Sequence, residues 1–278
     1  MPVLKVMTWN ILHKTSSEEE REHPWQERAP LVRAVVERAR PHILCTQEAH
    51  GDQMDDLLAG LPDYWWFGRD RDGRDDGEGC PIAYDSRLLK PLEWGQLWLG
   101  AEPETPGCLT WVNDVPRLLT WGRFLHYETG QRFFLANTHL DHLVPGTRTK
   151  AIELLQERLP PGSLEEPVIL TGDFNSPAWA KPHRMLMKGP NRFYDTYKEA
   201  EDGEGLLAGT FHKWKGTGWA RLDWILTQPR LRVPRYRILR DKPQGRFPSD
   251  HYPVLAEIEL PHPPAPPARA AAGEAQRI

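Results

Sequence analysis

Asp173 and Asn175 lie two residues apart in the segment Gly172-Asp173-Phe174-Asn175, which is separated from the apolar run Val168–Leu170 by Thr171 alone. The run predicts a buried strand that ends in a loop at the glycine. On an extended chain these two side chains would share one face. A carboxylate beside an amide suits a hard cation and a phosphate group. The segment alone is a weak signal, because Asp, Asn and Gly are also common in turns.

Other polar residues lie at or near the ends of predicted strands. Taken singly, each has an ordinary explanation, such as a turn, a helix cap or a satisfied buried histidine. These residues are Asn10, Glu48, His139, Asp223, and Asp250 with His251. Asp223 is the hardest to explain in that way, because a buried carboxylate needs an Arg or His partner. Together they predict metal-assisted hydrolysis of a phosphoester, with carboxylates for a divalent cation, amides for phosphate oxygens and histidines for proton transfer.

The elements that must position these residues are strands intermixed with helices. Strands are predicted over residues 3–11, 43–48, 64–67, 81–84, 88–99, 118–127, 132–138, 168–170, 221–226, 231–239 and 254–260, and helices over 31–39, 54–58 and 147–159. Several hairpin-like neighbours favour packed, mostly antiparallel sheets flanked by helices over a doubly wound parallel sheet. The segment 69–79 is expected to be a mobile loop, 177–220 mostly helix and loop, and the arginine-rich segment 231–239 an exposed edge strand.

Length and charge limit the class of protein. The chain has 278 residues and ordinary apolar content, which suits one large globular domain. We predict that domain over residues 1–260 and a disordered Pro/Ala-rich tail over residues 261–278. The formal net charge of −4 argues against a protein that grips a long duplex and favours small or single-stranded substrates.

Cysteine usage and hydropathy indicate the compartment. Cys45, Cys80 and Cys108 show neither a paired zinc-type spacing nor an even set for disulfides. The first ten residues lack the features of a secretory leader, and no run of 18 apolar residues predicts a membrane span. We therefore expect a cytoplasmic monomer without a membrane partner.

Six short segments identify a family resemblance: WN, QE, NTH, GDFN, RLDWIL and SDHYPV. In this order, and over residues 3–260, they resemble the motif set of the endonuclease/exonuclease/phosphatase superfamily, which includes exonuclease III-type nucleases, pancreatic deoxyribonuclease and nocturnin-like deadenylases. The segments PIAY (81–84), PR (116–117) and TFH (210–212) resemble a bacterial-type branch of unassigned substrate. The resemblance implies a four-layered α/β sandwich with the site at the rim between two packed sheets.

The resemblance also implies a metal site. Glu48 would be the main ligand of Mg²⁺ or Mn²⁺, with Asn10 close by and Asp250 supporting the metal or a histidine. Mg²⁺ keeps several waters and needs few carboxylates. Asp173 would orient or deprotonate the attacking water, or hold a second metal, and Asn175 would hold a phosphate oxygen.

The histidines and the remaining cations have implied roles as well. His251, held by Asp223, would be either the base or a donor to phosphate. His139 matches the nuclease and sphingomyelinase branches, not the exonuclease III branch, and would protonate the leaving oxygen or bind phosphate. Arg117 and His212 would contact the phosphate or a base of the substrate.

The function predicted first is metal-dependent phosphodiester hydrolysis by a nuclease that acts on single-stranded or short DNA or RNA. The alternative is a phosphomonoesterase or phospholipase-type hydrolase of a small phosphorylated compound. An inactive binding module on the same fold is disfavoured, because every acidic and histidine position of the motif set is filled. Lys213, Trp214, Lys215 and Trp219 would stack and steer a nucleotide, or would equally well form a packed loop with exposed lysines.

Overall fold

The computed structural model describes residues 3–14, 22–112, 114–205, 208–218 and 220–261. The predicted disordered tail lies outside the described residues except for residue 261, and Trp219 lies outside them as well. Both predictions therefore remain predictions.

The described residues form thirteen strands, five α-helices and one 3₁₀ turn. The strands are β1 (Val3–Asn10), β2 (Ile43–Gln47), β3 (Tyr64–Phe67), β4 (Ile82–Asp85), β5 (Leu89–Trp98), β6 (Leu118–His126), β7 (Arg132–His139), β8 (Val168–Asp173), β9 (Tyr194–Asp195), β10 (Ala200–Asp202), β11 (Asp223–Gln228), β12 (Val233–Ile238) and β13 (Val254–Glu259). The helices are α1 (Trp25–Ala39), α2 (Gly51–Leu58), α3 (Pro145–Arg158), α4 (Lys181–Leu186), α5 (Thr196–Glu199) and a 3₁₀ turn (Pro243–Gly245).

The strands form two sheets that pack face to face. One has seven strands in the order β10-β12-β13-β1-β2-β4-β3, and the other has six in the order β5-β6-β7-β8-β11-β9. Parallel pairing occurs between β1 and β2, between β7 and β8, and between β10 and β12, while the other described pairs are antiparallel. The prediction of mostly antiparallel, packed sheets is confirmed.

The central strands of each sheet are buried on both faces, which makes the architecture a four-layered α/β sandwich. In β1, Leu4 and Val6 contribute to the core between the sheets, whereas Met7 and Trp9 belong to the cluster that packs on α1 and α2. A third cluster joins the outer face of the second sheet to α3 and α4. Strands buried on both faces read as nearly continuous apolar runs, which explains why polar residues stand out where these strands end.

Strand register brings those polar ends to one rim. Asn10 pairs with Gln47 at the end of the parallel β1–β2 ladder. Glu48 follows Gln47 directly and therefore lies beside Asn10 at the rim. In the other sheet, His139 pairs with Asp173 in the parallel β7–β8 ladder, and Asp173 pairs with Asp223 at the start of β11.

Two predictions about local structure were wrong. β12 is not an edge strand, because the short strand β10 pairs with it, and two β12 arginines, Arg235 and Arg237, contact Asp202 of β10. Asp223 begins β11, whereas the predicted strand over residues 221–226 placed it within the strand. Both outcomes depend on tertiary pairing, which local composition does not encode. The described part of the segment 177–220 is mostly helix and loop, as predicted, with the two short strands β9 and β10.

Among the described residues, none of the helices combines the length and the apolar character that a membrane crossing requires.

Candidate active site

Asn10 lies between two carboxylates at the rim. Its Nδ2 atom donates to Glu48 Oε1 at 2.9 Å and to Asp173 Oδ2 at 3.1 Å. His139 Nε2 lies 3.5 Å from the same Asp173 oxygen and 4.0 Å from Glu48 Oε1. The structure thus brings together four of the predicted site residues, three of them from the ends of different strands and the fourth directly after β2.

His251 and Asp223 form the pair that the sequence predicted. Nδ1 of the histidine lies 2.9 Å from Oδ2 of the aspartate, and both side chains are buried. Burial by itself lowers the pKa of His251, but the carboxylates of Asp223 and Asp173 outweigh burial and raise that pKa well above its ordinary value. At neutral pH the imidazole therefore carries a proton on each nitrogen. Its Nε2 atom, 3.7 Å from Asp173 Oδ2, is a hydrogen-bond donor within the site.

The pKa values of Asp173 and Glu48 are shifted in opposite directions. Burial and the nearby Asp223 raise the pKa of Asp173 to about 7, against the lowering effect of His251. Burial also acts to raise the pKa of Glu48, but His13 and the amide of Asn10 outweigh burial and lower the pKa below its ordinary value. Near neutral pH Glu48 is thus a carboxylate, while Asp173 is poised to take up or release a proton.

His139 is neutral in this arrangement. Burial, with the positive charge of Arg117 next in effect, lowers the pKa of His139 well below its ordinary value. Its Nε2 atom lies 2.9 Å from Asn175 Nδ2, which also donates to the carbonyl oxygen of Leu140 at 2.9 Å. The imidazole nitrogen accordingly accepts a hydrogen bond, so His139 would have to gain a proton before it could protonate a leaving oxygen. Both amide hydrogens of Asn175 are already engaged, so binding a phosphate oxygen would exchange one of these contacts.

Unusual backbone conformations place these side chains. Glu48 and Asn175 have φ of 59° and 45°, a left-handed conformation that costs a residue other than glycine about 1–3 kcal/mol and is concentrated at functional sites. Asn175 thus lies beyond the strand, where its N–H donates to Asp173 Oδ1 at 2.9 Å, and the two residues do not share an extended face as expected. Gly172 allows β7 and β8 to approach, because a Cβ there would lie 2.1 Å from the carbonyl oxygen of Thr138.

Several motif residues act through the backbone of their neighbours. Trp9 Nε1 donates to the carbonyl oxygen of His251 at 2.9 Å, and Ser249 Oγ donates to the carbonyl oxygen of Asn10 at 2.7 Å. Thr210 Oγ1 accepts from the backbone N–H of Asp223 at 3.2 Å. These contacts fix the ends of β1 and β11 and the loop before β13 relative to one another. The sequence motifs therefore contain residues that position the site as well as residues that could take part in the reaction.

The Gln47–Asn137 pair connects the two sheets. Gln47 Nε2 donates to Asn137 Oδ1 at 2.7 Å, and Asn137 Nδ2 donates to the carbonyl oxygen of Thr46 at 2.8 Å. Both side chains are fully buried between the sheets. The first residue of QE and the first residue of NTH therefore fix the spacing between Glu48 and His139 rather than reach the substrate.

These residues border a cavity of about 300 Å³. It is lined by Leu12, His13, Glu48, Arg71, Glu78, Val115, Arg117, His139, His142, Asp173, Asn175, Phe211, Asp250 and His251. Arg117 lies in this wall, with Nη2 3.0 Å from His142 Nδ1, and its contact with the substrate stays a prediction. Asp250 also lines the cavity, and its carbonyl oxygen accepts from the backbone N–H of His212 at 2.9 Å.

The structure places His212 differently from the substrate contact that the sequence predicted. Its ring packs on Phe247 and Tyr252, with centroids 4.5 and 4.1 Å away, and its neighbour Phe211 lines the cavity instead. Burial lowers the pKa of His212 to about 4, so the ring is neutral. Trp214 stacks on His23 at 3.7 Å, which favours the packed-loop interpretation of that segment.

The donor set fits a divalent cation. One carboxylate oxygen of Glu48 and one of Asp173 accept from the amide nitrogen of Asn10, and the neutral His139 lies beside them. Carboxylate oxygens are the ligands that Mg²⁺ and Mn²⁺ prefer. Asn10 directs its amide nitrogen at the carboxylates and its Oδ1 accepts from the N–H of Leu12. This favours a role for Asn10 in positioning the carboxylates over direct ligation.

Comparison with known proteins now identifies the family. The sequence profile of the Endonuclease/Exonuclease/phosphatase family matches residues 7–251. The chain belongs to this family. The family resemblance that the order of the motifs predicted is therefore confirmed. Members of this family hydrolyse phosphoesters.

Individual members of the Endonuclease/Exonuclease/phosphatase family resemble the chain along most of its length. A mannosyl-6-phosphatase from Bacteroides thetaiotaomicron is 31% identical, with a TM-score of 0.82, over 92% of this chain and 99% of that one. A family protein from Bacteroides vulgatus is 28% identical, with a TM-score of 0.85, over 94% of this chain and all of that one. Protein angel of Drosophila melanogaster is 27% identical over 73% of this chain, a match that spans 58% of the Drosophila protein.

Sequence reasoning missed three residues of this family site. Arg71, Glu78 and His13 line the cavity but belong to segments that read as polar loops. The only local signal for Arg71 and Glu78 is an opposite charge seven positions apart, a spacing with no preferred geometry in a loop. Their position in the cavity wall depends on the pairing of the two ends of the loop, in which Arg71 N–H donates to the carbonyl oxygen of Glu78.

Proposed function

We propose that the protein is a divalent-metal-dependent phosphatase that acts on a small phosphorylated compound, with sugar phosphates as the first class to test. The observation that carries this proposal is the cavity of about 300 Å³, which joins the catalytic residues to a wall of charged side chains and matches the size of a small ligand. The 31% identity to a bacterial mannosyl-6-phosphatase supports the same class of substrate.

Each residue has a task that its environment suits. The protonated His251, held by Asp223, would donate to a phosphate oxygen and stabilise the charge that develops on phosphorus in the transition state. Asp173, whose pKa is near 7, would accept the proton of the attacking water. Arg117 would bind a second phosphate oxygen. Glu48 would be the main residue that holds Mg²⁺ or Mn²⁺, and the cation would supply Lewis-acid polarisation of the phosphoryl oxygens.

A nuclease or other phosphodiesterase that acts on single-stranded DNA or RNA is the second candidate. Phe211 favours it, because this ring lines the cavity 4.8 Å from the ring of His251 and could stack on a base. The net charge of −4 weighs against a long polyanion. A cytoplasmic monomer remains our proposal for the protein's location and state.

One substrate panel separates the two candidates. Purified protein is stripped with chelator, dialysed and assayed with Mg²⁺, with Mn²⁺ and with neither. The panel contains mannose 6-phosphate, p-nitrophenyl phosphate, bis(p-nitrophenyl) phosphate, single-stranded DNA and RNA. We expect metal-restored release of phosphate from the monoesters that exceeds cleavage of the diesters. Faster cleavage of DNA or RNA would favour the nuclease, and full activity in excess chelator would refute metal dependence.

A further inference from the structure

The loop of residues 69–79 has a defined conformation although its composition predicted a mobile segment. Asp70 is buried, and its carboxylate accepts from the backbone N–H groups of Arg74, Asp76 and Gly77 at 2.9, 2.8 and 2.8 Å. These bonds, despite burial, lower the pKa of the Asp70 carboxyl. One side chain thus fixes the turn from within.

The two ends of this loop run side by side into the active-site wall. Arg71 N–H donates to the carbonyl oxygen of Glu78 at 2.7 Å, and Gly79 N–H donates to the carbonyl oxygen of Ala49 at 2.9 Å. Trp98 Nε1 donates to the carbonyl oxygen of Arg71 at 2.6 Å. Because Ala49 follows Glu48 directly, this pairing carries Arg71 and Glu78 to the side of the catalytic carboxylate.

The side chains of Arg71 and Glu78 form a bidentate ion pair. Nη1 and Nη2 each lie 2.9 Å from a different carboxylate oxygen, and the side chains are 21% and 15% exposed. Both residues line the cavity together with Glu48 and Arg117. Burial, and then the charge of Glu48, raise the pKa of Glu78. Because Asp70 already fixes the turn of the loop, the position of the Arg71–Glu78 pair in the cavity wall points to a role beyond holding the loop.

The chemistry of the pair suits hydroxyl groups. A guanidinium offers several fixed donors, and a carboxylate retains lone pairs beyond those that its partner uses. Side by side, they can donate to one hydroxyl of a ligand and accept from the next. The phosphate has its own proposed partners in His251 and Arg117, which line the same cavity, so Arg71 and Glu78 remain available for another part of the substrate. The pair is therefore suited to the alcohol part of a phosphomonoester.

We propose that Arg71 and Glu78 form a subsite that binds the hydroxyl groups of the leaving alcohol and selects polyhydroxylated phosphomonoesters over those with apolar leaving groups. This inference rests on the proposed phosphatase function and names the part of the substrate that the cavity recognises. The two residues would act in substrate selection, outside the group that handles phosphorus.

The test compares two substrates that share the phosphate and differ in the leaving group. kcat/KM is measured with Mg²⁺ or Mn²⁺ for mannose 6-phosphate, which is rich in hydroxyls, and for p-nitrophenyl phosphate, which has none. The variants are Arg71→Ala and Glu78→Gln, the latter chosen because it keeps side-chain volume and one acceptor. The control is Arg74→Ala, which removes an exposed cation from the same loop and keeps the backbone N–H that Asp70 binds. Thermal melting checks the fold of each variant.

We expect each subsite variant to lower the ratio of kcat/KM for mannose 6-phosphate over p-nitrophenyl phosphate by about tenfold to a hundredfold, the range for hydrogen bonds that involve charged groups. The control should leave the ratio unchanged. An equal loss on both substrates, or no loss on the sugar phosphate, would overturn the subsite while leaving the phosphatase intact. If the parent protein hydrolyses neither monoester with either metal, the proposed function itself fails, and the subsite with it.

Discussion

The buried contact between His251 and Asp223 allows a quantitative test of how the site works. Nδ1 and Oδ2 are 2.9 Å apart, with both side chains shielded from solvent. A charge-assisted hydrogen bond of this kind contributes about 1.5–3 kcal/mol, which corresponds to roughly 10- to 150-fold in rate if the bond is needed in the transition state. Loss of a positioned proton donor costs roughly 10²–10⁴-fold. We therefore expect His251→Ala and Asp223→Ala each to lower kcat by about a hundredfold or more.

The two losses should not add. Asp223 acts only through the imidazole, so once His251 is absent the aspartate has no transition-state charge to stabilise. The double Ala variant should therefore be little slower than either single variant. Turnover is measured for all four proteins at saturating metal and substrate, in a double-mutant cycle. Circular dichroism must accompany the cycle, because His251→Ala leaves a buried carboxylate without its partner at a cost of about 3–5 kcal/mol.

Two further variants separate chemistry from folding. Asp223→Asn keeps volume and an acceptor while it removes the charge that raises the pKa of His251, so activity should fall although the fold persists. Asp75→Asn changes an exposed carboxylate in another loop and should leave turnover unchanged. Fully additive losses in the cycle, or a folded His251→Ala enzyme with near-normal turnover, would show that the pair is structural and that Asp173 carries the proton transfer without it.

Three other predictions test the metal, the tail and the pH dependence of the fold. Glu48→Ala should raise the Kd for Mn²⁺ in calorimetry without a change in circular dichroism, and unchanged affinity would remove Glu48 from the ligand set. Deletion of residues 261–278, which hold one large aliphatic residue, should leave activity and Tm nearly unchanged, whereas a large drop in either would show that the tail docks. Burial opposes ionisation of Asp195, but Arg221 outweighs it and lowers the pKa to about 2 from 3.8, so this group stabilises the fold above pH 4 and the stabilisation is lost as pH falls toward 2. In urea unfolding, the parent protein should lose about 1 kcal/mol more than Asp195→Asn between pH 5 and pH 3, and equal losses would contradict the assignment.

The sequence predicted the rim of the sandwich well because polar residues interrupt strands that are apolar on both faces. Asn10, Glu48 and His139 are visible for that reason, and their register partners follow once the two sheets are known. The partner of Asp223 was also predictable, since a buried carboxylate needs a cation or a donor. These inferences use the local sequence pattern and the free-energy cost of burying an unpaired charge, and neither depends on knowing the tertiary structure.

Protonation and long-range pairing were beyond the sequence. Nothing in the NTH segment shows that burial and Arg117 keep His139 neutral or that Asn175 donates to it. The Arg71–Glu78 pair depends on a loop closed by one buried aspartate, and the covering of β12 depends on a strand some 30 residues earlier. In each case the decisive quantity is the distance to a group that is remote in the chain.

The charges around the cavity bear on how a net-negative protein binds phosphate. Among the described lining residues, four carboxyl groups face two guanidinium groups and the imidazolium of His251. These are Glu48, Glu78, Asp173 and Asp250 against Arg71 and Arg117. Adding a phosphomonoester dianion to this set brings like charges together at short range, where their repulsion is weakly screened. A divalent cation held mainly by Glu48 would offset that repulsion. The same carboxylates that oppose phosphate binding without a metal would then favour it with one, so we expect substrate binding as well as turnover to depend on the metal.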